Sequence, residues 1–118
     1  MKYRIEELET AAHEKKDWRF MIHTALGWAY LNSLEAGNDL PNFGDVIWEK
    51  DIPEILAGCR KYGIKEFTIS STFSGLINTV AEFEKNGCHL DGLVRIKGHK
   101  DIWTKEREII PAFKMTVN

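Results

Sequence analysis

The chain has 118 residues, with 43% hydrophobic and 29% charged side chains and a formal net charge of −2. A chain of this length buries about two-thirds of its unfolded surface, enough for one core without disulfide staples. The composition excludes a disordered tail, a collagen-like repeat and a cystine-rich scaffold, and the near-neutral balance lacks the strongly basic footprint of a nucleic-acid binding domain.

The first apolar stripe, Ile5, Leu8, Ala11 and Ala12, has helical spacing over about residues 4–15. Early Glu6, Glu7 and Glu9 and late Lys15 and Lys16 complement the dipole of such a helix. Asp17 is the expected N-cap of a second helix reaching about Ala36, with Trp18, Met21, Ile22, Ala25, Leu26, Ala29, Tyr30 and Leu34 on a wide apolar face. Gly37-Asn38 supplies its left-handed stop, and Gly27 inside it marks a candidate close crossing.

Residues 37–46 read as a turn-rich loop. Asp51-Ile52-Pro53-Glu54 combines an N-cap, a proline in the first turn and a capping-box acid, so a third helix is expected from about Ile52 to Tyr62, stopped by Gly63. Ile64 to Ser70 is short, β-rich and bounded by Gly63 and a Ser/Thr cluster, which predicts a strand. A fourth helix is expected from near Thr72 or Phe73, with Phe73, Leu76, Ile77, Val80 and Phe83 on one face and Gly87 as its stop. Leu93–Lys97 and Ile109–Thr116 predict two more strands, joined by a polar stretch from Gly98 to Arg107. Pro111 lacks a ladder donor, so the last strand is expected at an edge or bulged there.

The order helix-helix-helix-strand-helix-strand-strand predicts an α+β protein with a small mixed three-stranded sheet covered by helices. It reads as a single domain over 1–118, a helical pair over 1–36 followed by an α-β-α-β-β unit over 47–117. The strand–helix–strand unit predicts a right-handed crossover with parallel strands, and the last two strands an antiparallel hairpin.

The segment Ser70-Ser71-Thr72-Phe73-Ser74-Gly75 lies where strand passes into helix. Helix N-termini offer free N–H groups to anions, and ligands gather at the carboxyl ends of strands in open sheets. Ser70, Ser71, Thr72, Ser74 and Gly75 are therefore a candidate anion or nucleotide-fragment site. The competing reading is plain capping of the helix by its own hydroxyls. The segment lacks the Gly-Lys-Ser/Thr ending of a P-loop, the three-glycine dinucleotide pattern and a Gly-x-Ser-x-Gly nucleophile elbow.

The histidines His13, His23, His89 and His99 and the cysteines Cys59 and Cys88 show no paired metal-ligand spacing, so no metal, cofactor or catalytic constellation is expected. Both thiols read as reduced and buried. The first residues lack the apolar core of a signal peptide and no apolar run is long enough to span a membrane, which predicts a cytoplasmic protein.

Charge is uneven along the chain: residues 1–56 carry 6 basic and 11 acidic side chains, and residues 57–118 carry 10 and 7. Trp103 stands in the polar connection among Lys100, Lys105 and Arg107; Trp and Arg concentrate energy at protein interfaces, and the competing reading is an indole folded back onto the sheet. The reading that follows is a non-enzymatic binding or accessory protein with a protein partner at Lys100, Trp103, Lys105 and Arg107. A homodimer through the C-terminal edge strand is a further expectation.

At Ile64–Leu76 and again at Ile110-Pro111-Ala112-Phe113 the chain resembles an uncharacterised family of small Firmicute proteins, a domain of unknown function often carried on mobile elements. The likeness spans about Ile47 to Met115. It implies an accessory role, including interference with a host-defence nuclease system of the CRISPR or restriction type, and it transfers no activity.

Overall fold

The computed structural model describes residues 1–13 and 24–118. Helix α1 (Glu6–His13) opens with three acids in its first turn, which offset the positive end of its dipole. Helix α2 (Ala25–Ala36) begins at Thr24, whose Oγ1 accepts the Gly27 N–H at 3.1 Å, and stops at Gly37 with φ of 79°. The expected Asp17 cap and the apolar positions Trp18, Met21 and Ile22 lie outside the described residues. Tyr30 ties α1 to α2. Its buried hydroxyl accepts the Ile5 N–H at 3.1 Å and shares its one proton between Glu9 Oε1 at 3.0 Å and the Tyr3 carbonyl at 3.1 Å.

Helix α3 (Ile52–Tyr62) ends at Gly63 with φ of 71°, as its sequence predicts. Its start differs. A 3₁₀ turn over Glu49–Asp51 runs directly into the helix, so Asp51 already has helical dihedrals and its side chain makes no capping bond. A close helix crossing falls at Gly58 of α3, where an added Cβ would stand 2.7 Å from Leu26 Cδ2.

Four strands form the sheet, in the order β1-β2-β4-β3: β1 (Asn42–Phe43), β2 (Glu66–Ile69), β3 (Cys88–Lys100) and β4 (Arg107–Val117). Helix α4 (Leu76–Lys85) connects β2 to β3. Three of the expectations above are corrected here. The sheet has a fourth strand, β1, a two-residue stretch parallel to β2 inside the predicted loop. Next, β2 and β3 run parallel but are not neighbours, because β4 pairs antiparallel with both. The C-terminal strand is thus interior, and β3 is the edge.

The physical reason lies in β4's alternation. Phe113, Met115 and Val117 share a face turned to the helix-covered core, while β3 is exposed over most of its length. Phe67 of β2 sits at the centre of that core, edge-on to Phe43 with centroids 5.4 Å apart and tilted against Phe83 at 5.1 Å.

Pro111 is tolerated inside β4 for a local reason. Strand β2 pairs with β4 only from Phe113 to Thr116. The Val117 N–H donates to Lys65 on the β2 side, so by strand alternation the nitrogen of Pro111 points to that side too, beyond the end of β2. Its missing donor therefore breaks no ladder bond.

Past Phe113 only β3 and β4 remain, as a two-stranded arm. Strand takes up the two ends of the predicted connection over 98–107: β3 continues to Lys100 and β4 starts at Arg107. Two-stranded hairpins are marginal by themselves. This one is clamped by Asn38, 9% exposed, whose Nδ2 donates to the Lys97 carbonyl and whose Oδ1 accepts the Lys97 N–H, both at 2.9 Å. We expect Asn38→Ala to lower the unfolding free energy by about 1–3 kcal/mol, since it strands two peptide groups at once. Chemical denaturation measures this, and an unchanged midpoint would remove the clamp's importance.

Candidate functional site

The arm ends in a turn over 101–106 that is ordered by one carboxylate. Asp101 Oδ1 accepts the N–H groups of Trp103 at 2.7 Å and Thr104 at 3.0 Å. The Asp101 N–H donates to Glu106 O at 2.7 Å, and the Lys105 N–H donates to Asp101 O at 2.9 Å. Lys105 adopts φ of 61°, the left-handed conformation that closes the turn. The N–H groups of Thr104 and Trp103 on the carboxylate, Thr104 first, hold the Asp101 carboxyl below its ordinary value of 3.8.

On this frame Ile102 is 82% exposed and Trp103 87% exposed. Lys100 and Lys105 are exposed beside them. Arg107 differs in kind. It is half-buried, and its Nη1 donates to the Gly98 carbonyl at 2.9 Å, so it braces the hairpin from within. Asp101, Glu106 and Glu108 interleave with the three cations, which makes the tip mixed in charge rather than basic. Ile102 was missed in the sequence reading, although an isoleucine beside a tryptophan in a polar stretch is a visible signal.

The Ser/Thr corner lies between β2 and α4, where it was predicted. Its hydroxyls divide between interior and solvent. Asn42 Nδ2 donates to Ser70 Oγ at 3.0 Å while Thr68 Oγ1 donates to Asn42 Oδ1 at 2.8 Å, so Ser70 belongs to an internal network. Ser71 is buried, and Thr72 and Ser74 are exposed. Helix α4 starts at Leu76, later than expected. Its N-cap is Gly75 and no side chain caps it, so the hydroxyls do not play the predicted capping role. An added Cβ at Gly75 would lie 2.8 Å from Phe73 Cε2, so the Phe73 ring closes over the turn.

Cys59 and Cys88 are both buried and free. Burial pushes the Cys59 thiol up to about 12, with the neighbouring Cys88 adding to the effect, and burial pushes Cys88 up to about 11. Among the described residues no group of three or more His, Cys, Asp and Glu side chains is placed to hold a metal ion, and no helix is long and apolar enough to cross a membrane.

The class defined by this geometry is an α+β protein whose curled four-stranded sheet projects a clamped hairpin. A family model described as Domain of unknown function (DUF7698) matches residues 25–117, and the chain belongs to that family. No curated protein matches the chain. No solved structure matches it either.

Two outcomes follow from these environments. Both thiols should resist a thiol reagent in the folded protein at mildly alkaline pH and react together on unfolding, which a colorimetric thiol titration reads. The Asp101 brace is complete above the ordinary carboxylate value of 3.8 and is lost as pH falls through its lower folded value. The Trp103 and Thr104 amide resonances should then shift together below that pH, and a shift centred well above it would contradict the brace.

Proposed function

We propose that this protein is a non-catalytic binding module that engages a protein partner through the tip of its β3–β4 hairpin. The observation that carries the reading is the pair Ile102 and Trp103, each more than 80% exposed on a turn with internal hydrogen bonds. A freely exposed indole is a large apolar area left in water, and tryptophans of this kind anchor interfaces. A turn already ordered by Asp101 loses little conformational freedom on docking, which preserves affinity. The partner surface that fits has an apolar pocket for the indole and carboxylates to meet Lys100 and Lys105. Interference with a host-defence nuclease is one form such an accessory contact takes.

The test places a photo-crosslinking residue at Ile102 in cells and compares it with the same residue at exposed Lys50. The reading expects an adduct of defined mass at position 102 that Trp103→Ala abolishes while the melting temperature stays unchanged. Adducts that persist in Trp103→Ala, or that form equally at position 50, would overturn it. Recovery of a nuclease complex in the adduct would identify the host-defence form.

A further inference from the structure

A second surface, on the opposite edge of the sheet from β1, stands independently of the hairpin tip. The residues of β3 opposite Phe113, Pro111 and Ile109 are Leu93, Arg95 and Lys97. Since those β4 residues turn their peptide groups toward β2, the N–H and C=O groups of Leu93, Arg95 and Lys97 point outward from the sheet. Asn38 takes those of Lys97. The bulge between Leu90 and Leu93, with Gly92 at φ of 104°, interrupts the edge on the other side. A free stretch of edge remains, bounded at both ends, with Leu93 and Arg95 as its outward residues.

This stretch adjoins an apolar groove between α4 and the sheet. Leu76, Ile77, Val80, Leu90 and Phe113 line a space of ≈ 670 Å³ with Glu84 on its rim. Ile77 is 83% exposed and Leu93 68% exposed, a contiguous apolar surface of the kind that monomers usually cover. Arg95 and Glu84 are both exposed and have no ion-pair partner among the described residues.

We infer that this face binds a second copy of the same chain, by antiparallel pairing of the two β3 edges about a two-fold axis at Val94. That register sets Leu93 of each copy opposite Arg95 of the other and pairs only these two free residues, the strands diverging where Asn38 holds Lys97 and where Gly92 bulges. Leu93 and Arg95 lie on the α4 side of the sheet, so the two grooves face each other across the axis and each Arg95 reaches toward the other copy's Glu84. Opposite charges flanking one apolar patch make the surface self-complementary, which favours a second copy over an unrelated strand. The expected homodimer therefore forms through β3 and not through the C-terminal strand.

Sedimentation equilibrium tests this, read against the chain mass of 13.6 kDa. The wild type is expected at twice that mass. Glu84→Arg and Arg95→Glu should each fall to the monomer mass with unchanged melting temperature, and the double exchange should restore the dimer. Trp103→Ala should leave the mass doubled, which separates this face from the hairpin tip. Hydrogen exchange adds a readout that no variant perturbs: protection of the Leu93 and Arg95 amides should rise with protein concentration. A wild-type mass of 13.6 kDa, single reversals that stay dimeric, a double exchange that stays monomeric, or amides that exchange alike at all concentrations would each overturn the proposal.

Discussion

One side chain decides the shape of the sheet. Asn38 follows the Gly37 stop of α2 and precedes β1, yet its amide bonds the outer edge of β3, the strand farthest from β1 in the sheet order. The sheet is therefore curled until its two sides nearly meet, and a single amide spans the gap. A primary amide suits the place because it carries a donor and an acceptor in one plane, matching the N–H and C=O of Lys97. Between the curled faces runs an open groove of ≈ 640 Å³, lined by Lys2, Asp39, Glu66, Thr68 and Lys114 among others.

The floor of that groove is organised around Glu66. Lys2 Nζ donates to its carboxylate at 2.8 Å, the Tyr3 hydroxyl donates at 3.0 Å, and Lys114 Nζ lies at 3.4 Å. The Lys2 contact is the largest reason the Glu66 carboxyl is held below its ordinary value. These contacts, with the Lys2 N–H on the Asp39 carbonyl at 2.8 Å, bind the start of the chain to β2, β4 and the loop after α2. The same loop thus receives the N-terminal segment on one side and the hairpin arm on the other.

Rigidity and exposure coincide at the far end of the arm. The clamp at Lys97, the Arg107 brace to Gly98 and the Asp101 turn form successive supports along the hairpin, and Trp103 stands beyond the last of them. Each support is a hydrogen bond to a peptide group, so the arm is held by backbone geometry while its outer side chains stay free to meet a partner. Burial elsewhere is thorough: among the described residues no buried side-chain nitrogen or oxygen lacks a hydrogen-bond partner.

Local signals were legible wherever the cause was local. Gly37 and Gly63 end their helices in the left-handed conformation expected of them, and the strand-to-helix corner at 70–75 stands between Ile69 and Leu76 as its composition indicates. The pairing of strands was not legible, because a two-residue strand such as Asn42–Phe43 has no period to read and exists only through the neighbour it finds in β2. The same holds for Pro111, which looks like an edge residue but sits in an interior strand, at the stretch where β2 has already ended. What the sequence determined by itself was the existence of α3 and α4, the glycine stops of α2 and α3 and the place of an indole in a polar connection, all set by neighbours a few positions away. Only the tertiary structure decided that β4 lies between β2 and β3 and that Asn38 closes the curl, since both depend on contacts between residues dozens of positions apart that carry no mark in the chain between them.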